Sequence, residues 1–237
     1  ILNGDEVKIY QNKAVAGSSK GGGIFAAGWS AQKGSLRIHN ALIFENESVY
    51  GGGIYITEDS YLNIANGQIS HNIAAYGGGV YSESVPEEEY SFVGGLIQDN
   101  YAGTEGGGLY VNGGEFVMNG GEIRYNQSEA NGGGVFVSLS ALFTLEDGLI
   151  VENEAIGSGS IGGGIKNYGT IDIQGGTVQG NSSYQTIGFI GGGIANSGVF
   201  YLDGGAEISD VIHLTNDFPI KLTGLPENEK VFEIFYG

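Results

Sequence analysis

Five residues recur at one place in this chain: Glu45, His71, Asp99, Tyr125 and Glu152 each stand two residues after an Ile and directly before an Asn. Carboxylates placed at intervals could do acid–base chemistry. A glycosidase needs two of them at ~5 to ~9.5 Å, and a polysaccharide lyase needs a base with a cationic or metal partner for the developing enolate-like charge. If successive repeats stack at strand spacing, Glu45 and Asp99 lie two repeats apart, near ~9.6 Å. The simpler reading is that His71 and Tyr125 separate like charges along the column and so lower repulsion. No catalytic residue is assigned on this pattern. Glu83 with Glu87, Glu88 and Glu89 forms an acidic stretch of the kind that can hold Ca²⁺ through carboxylate oxygens, but no EF-hand-type spacing accompanies it. His39, His71 and His213 lack metal-ligand spacing. No metal or other cofactor is assigned.

The elements that would position such groups come from a repeat. Gly-Gly-Gly followed by an aliphatic residue occurs seven times, beginning at Gly21, Gly51, Gly77, Gly106, Gly132, Gly162 and Gly191, at intervals of 26 to 30 residues. A period of that size marks a solenoid, whose units bury their apolar faces only by stacking on one another. Each unit has three beats with the alternation of half-buried strands, for instance Leu109-Tyr110-Val111, Phe116-Val117-Met118 and the segment from Ile123 to Asn126. No helical period intervenes, so each strand must pair with its counterpart one unit on. Parallel crossovers are right-handed almost without exception. The expectation is an all-β, right-handed, single-stranded parallel β-helix of about eight three-strand coils, stacked at strand spacing.

The third beat closes on Asn12, Asn46, Asn72, Asn100, Asn126, Asn153 and Asn181. Asn tolerates the left-handed backbone of a sharp corner, and stacked amides can hydrogen-bond along the axis as a ladder. Glycines suit corners that admit no Cβ. Both sets read as architecture. The triplets are not phosphate loops, because no Gly-Lys-Ser/Thr follows them and no helix begins there.

Alternation also predicts what faces outward. Among the outward middle positions of the seven units only Asp172 is a carboxylate, a poor endowment for hydrolysis. Phe25, Tyr55, Tyr81, Tyr110 and Phe136 fall at one equivalent outward position on five consecutive coils and should form an external ladder, ending where Lys166 and Ala195 replace the rings. Such a file stabilises by cross-strand stacking. As an apolar strip it also suits sugar rings or a protein partner, and Trp29 would extend it at the first coil. These six aromatic residues are the candidate binding residues. Insertions between Ser82 and Tyr90, around Trp29, and after Asn153 and Asn181 are read as long connections, the usual place for binding features.

Residues 1–210 read as β-helix repeats. Residues 211–237, where glycine thins out and Pro219 and Pro226 appear, read as an irregular terminal coil of the same domain. The opening residues Ile1-Leu2-Asn3-Gly4 look like the tail of a second beat, so the chain is expected to be a monomeric segment of a longer polypeptide. With 9 Lys plus Arg against 27 Asp plus Glu, the net charge of −18 repels phosphate backbones and anionic lipid, so neither nucleic acid nor a membrane surface is an expected partner. No stretch of about 18 apolar residues could cross a bilayer as a helix. The chain has 0 Cys, which excludes disulfides and thiolate metal sites.

The Gly-Gly-Gly-Ile/Val/Leu and Ile-x-x-Asn repeats resemble those of bacterial surface β-helix proteins, including adhesin-like proteins of gut bacteria. They are more loosely similar to the Gly-Gly-Ala-Ile and Phe-x-x-Asn repeats of chlamydial polymorphic outer-membrane proteins, which have Ala and Phe where this chain has Gly and mostly Ile or Val. The resemblance covers residues 1–210 and implies an extracellular, cell-surface location. The expected function is a non-catalytic, adhesin-like rod or binding module for a host or plant glycan or a surface protein. The alternative is a carbohydrate-active enzyme, a lyase or hydrolase, built on a β-helix.

Overall fold

The computed structural model describes residues 1–3, 7–14, 16–28, 32–86, 91–184, 192–214, 220–223 and 234–236. Trp29, the run Glu87 to Glu89, Gly191, Pro219 and Pro226 lie outside the described residues. The chain is a parallel β-helix with three sheets and, among the described residues, no helix. No helix is therefore long and apolar enough to cross a membrane.

The first beat of each unit forms what we call the glycine sheet, nine short strands from Ile24–Ala26 to Ile234–Tyr236. Its register runs Ile24↔Ile54, Ile54↔Val80 and Val80↔Leu109, one coil per step. The second and third beats are not separate sheets. They join in continuous strands such as Gly34–Phe44, Ser60–Ser70, Gly114–Arg124 and Ala141–Val151, each with a register shift near its middle where the strand bends. This bent sheet has 13 strands. A third sheet, the asparagine sheet, is made of seven very short strands after each Asn, from Lys13–Ala14 to Ser182–Ser183. Three sheets per coil were expected, but the third lies where the sequence suggested connections.

Six turns, from Ile24–Ala26 to Ser182–Ser183, carry all three sheets, with incomplete turns at either end, fewer than the expected eight coils. Past Asp210, Ile212–Leu214 and Ile220–Thr223 still pair in parallel on the strands below them. The glycine repeat stops there, whereas the stacking does not.

Alternation places Ile54, Ile56, Leu62, Ile64 and Ile69 inside at 1% exposure or less, and the equivalent residues of every coil form one continuous core. Burial of this kind is the main favourable term in a solenoid, at about 25 cal/mol per Å² of apolar surface. The glycine triplet is dictated by crowding. Gly51 has φ of 64°, and a Cβ on Gly52 would come within 2.4 Å of the Gly78 carbonyl oxygen in the next coil. The backbones approach so closely there because Gly51 and Gly52 N–H groups donate to the carbonyls of Tyr76 and Gly77 at 2.9 and 3.1 Å.

The asparagine ladder is present. The Nδ2 of Asn12, Asn46, Asn72, Asn100, Asn126 and Asn153 each donates to Oδ1 of the Asn one coil on, at 2.9 to 3.0 Å. Asn181 donates instead to Oδ2 of Asp210 at 2.8 Å, and an acceptor-only carboxylate ends the file. The left-handed corner, however, is not at Asn. It falls one residue earlier, at Gln11, Glu45, His71, Asp99, Tyr125 and Glu152, with φ of 53 to 56°. The reason is geometric: the Asn side chain must turn inward to reach both its neighbour and a backbone carbonyl, so the preceding residue makes the turn and points its side chain outward.

Candidate binding surface

The aromatic ladder forms as expected in register but is not an open strip. Ring centroids run Phe25–Tyr55 5.7 Å, Tyr55–Tyr81 5.0 Å, Tyr81–Tyr110 4.8 Å and Tyr110–Phe136 4.7 Å, all stacked. Tyr55, Tyr81 and Phe136 are buried, Tyr110 is half-buried, and only Phe25 is exposed. The cover comes from residues just before the glycine triplets. Tyr50 and Tyr76 stack on each other and meet Tyr81 and Tyr110 edge-on at 5.4 and 5.8 Å. Lys20 Nζ lies 4.4 Å from the Tyr55 ring centroid and donates to its hydroxyl, which donates in turn to Glu83 Oε2 at 2.6 Å. Burial, ahead of the Glu83 hydrogen bond, pushes the Tyr55 phenol well above its ordinary pKa, and burial does the same to Tyr81 and Tyr110. The sixth candidate, Trp29, lies outside the described residues.

The file does not end at Lys166. This lysine is 1% exposed and continues the column, its Nζ 4.3 Å over the Tyr168 ring and donating to Ser197 Oγ at 2.6 Å. Its neighbour in the next coil is Ala195, whose small side chain leaves room for the lysine stem. Burial pushes the amine down to about 8, only partly opposed by Glu105. His213, one coil beyond Ala195, is 7% exposed, and neither ring nitrogen has a hydrogen-bond partner among the described residues. Burial, then the charge of Lys166, holds its pKa below the ordinary value. This closed end is a packing solution, with rings and a lysine stem filling one column.

An open concave surface lies at the left-handed corner. Two files flank the asparagine ladder there. One is the corner column itself, including His71, Asp99, Tyr125 and Glu152. The other is the first residue of each asparagine-sheet strand, in register as Lys13↔Glu47, Glu47↔Ile73, Tyr101↔Gln127 and Gln127↔Glu154. Between them runs a groove of about 450 Å³ over the middle coils, to which Tyr101, Gln127 and Glu154 contribute from the second file. Tyr125 is 52% exposed in it. Arg124 lies 5.6 Å from that ring and is engaged by Glu122 and Gln98 at 2.8 and 3.0 Å. Tyr101 donates its hydroxyl to Glu129 at 2.7 Å, and that bond raises the phenol's pKa. Both files also pair along themselves, with Gln11 donating to Glu45 at 2.9 Å, Lys13 paired with Glu47 at 2.5 Å and, within the groove, Gln127 donating to Glu154 at 3.2 Å.

The sequence brought the corner column to notice but missed its companion file. The signal was there: every ladder Asn is followed two residues on by Ala or Ser, and Ser48, Ala74, Ala102, Ser128 and Ala155 are all buried. Among the described residues no cluster of three or more His, Cys, Asp or Glu side chains is placed to hold a metal ion. Comparison with family models, curated proteins and solved structures finds no match to this chain.

Proposed function

We propose that this chain is a rigid, non-catalytic rod of a bacterial surface protein, adhesin-like, and that it binds glycan or protein along the corner groove. One observation carries the reading. The chain has 46 Gly and uses glycine at fifteen of its positive-φ positions. Yet at this corner it keeps Gln, Glu, His, Asp, Tyr and Glu in six successive coils, and reverts to glycine only at Gly180. A side chain in the left-handed region costs about 1 kcal/mol relative to glycine. Strain accepted repeatedly where glycine is abundant supports a role for what those side chains display outward.

The groove is shallow and open, with an exposed ring and several polar groups along it, which suits an extended ligand lying along the rod. The repeats' likeness to surface proteins supports the extracellular location. The test is retention on immobilised oligosaccharides and on cell-surface protein, comparing the chain with Tyr101→Ala/Tyr125→Ala. Loss of binding in the double variant supports the reading. Unchanged binding removes the groove from it, and turnover of a polysaccharide abolished by Asp99→Asn would replace the rod with an enzyme.

A further inference from the structure

We propose that the corner groove accepts a linear saccharide whose sugars carry free amines, an inference that rests on the glycan-binding reading above. Charge selects the class. Asp99, Glu152 and Glu154 line the groove, and Glu129 is hydrogen-bonded to the lining Tyr101. Against them the lining offers only His71 as a basic side chain, and the nearby Arg124 is engaged by Glu122 and Gln98. The net charge of −18 opposes the approach of any polyanion, uronate chains included. An ammonium entering between these carboxylates gains charge-assisted hydrogen bonds, and beside the exposed Tyr125 ring it gains a cation–π contact.

Spacing favours a sugar chain over a basic peptide. Equivalent groove residues repeat at the coil spacing, about 4.8 Å, whereas same-face side chains of an extended peptide repeat every two residues, about 6.6 Å. A peptide therefore falls out of step with the groove within two repeats. A pyranose ring in an extended chain advances by close to one coil, so alternate amines can meet alternate coils, as Asp99 and Glu152 are placed two coils apart.

The experiment is calorimetric titration of the chain with four probes of matched length: a glucosamine oligomer, its N-acetylated counterpart, a galacturonate oligomer and oligolysine. The glucosamine oligomer should bind at least ten-fold tighter than the acetylated one, and the advantage should shrink as salt is raised. The galacturonate oligomer should not bind. Asp99→Asn/Glu152→Gln should erase the preference for the amine, so that the glucosamine oligomer binds no tighter than the acetylated one, and Tyr125→Ala should weaken both sugars. Equal binding of the two sugars overturns the amine inference and leaves glycan binding standing. Binding of oligolysine alone overturns the inference in favour of a basic peptide, and binding of none of the four overturns both it and the glycan reading.

Discussion

Truncating Asn100 to alanine removes a side chain that works in both directions along the rod. Its Oδ1 accepts from the Asn72 backbone N–H and from Asn72 Nδ2, both at 3.0 Å. Its Nδ2 donates to the Ile69 carbonyl at 2.9 Å and to Asn126 Oδ1 at 3.0 Å. After truncation Asn72 Nδ2 still reaches the Ile43 carbonyl, and Asn126 Oδ1 still receives the Asn100 backbone N–H. One buried group loses its partner outright, the Asn72 N–H, while the Ile69 carbonyl remains in the parallel ladder beside Ile97. At about 1–3 kcal/mol for a stranded buried group, the expected loss is about 2 kcal/mol. Asn12 is the control, because it donates to Asn46 yet is exposed, so Asn12→Ala strands nothing and should cost under about 1 kcal/mol. Urea unfolding, with midpoint and slope fitted for both variants, measures the difference. If the two variants cost the same, the ladder is ornament on a stack held by its apolar core alone.

Lys166 makes stability depend on alkaline pH. Unfolded, its amine keeps a proton up to about 10.5; folded, only up to about 8, so the burial penalty is present in full below about 8 and is relieved as pH rises between the two values. From pH 7.5 to 9.5 unfolding free energy should climb by about 2 kcal/mol, and Lys166→Met should flatten that rise; an identical slope in the variant removes Lys166 as its source. Above about 10 the trend should reverse, since unfolded tyrosines ionise while the buried Tyr81 and Tyr110 resist it. At the corner, Glu152→Gly should leave melting unchanged or raise stability by up to about 1 kcal/mol while weakening retention on the oligosaccharides that the parent chain holds. A clear drop in melting temperature would mean that Glu152 is there for the fold.

Much of this architecture is written in plain periodicity. Triplets such as Gly51-Gly52-Gly53 and closures such as Ile69-Ser70-His71-Asn72 repeat once per coil, and a parallel coil is the one arrangement that brings like residues into register. The bend inside Gly34–Phe44 was hidden because alternation runs through it on both sides, and only a register shift separates the halves. The asparagine sheet was hidden because strands as short as Glu47–Ser48 are too brief to show a period of two. Burial of the ring file was hidden for another reason. Alternation tells which side of a strand Tyr81 faces, but not that Tyr50, the residue just before the preceding coil's glycine triplet, folds over it. The buried pair Asn167 and Asn196, joined at 2.7 Å inside the glycine sheet, likewise sits where alternation calls for an apolar residue.

The amides from Asn12 to Asn153 all donate in the same sense, each towards the following coil. Small dipoles aligned head to tail add up, as peptide units do in a helix, and give the column a positive pole where its last N–H groups emerge. Asp210 stands at that pole, taking the backbone N–H groups of Gly180 and Asn181 at 2.7 and 3.0 Å as well as the Asn181 amide. A neutral residue there would leave the pole uncompensated. The rod therefore has an electrical direction as well as a mechanical one, fixed by the position of one carboxylate.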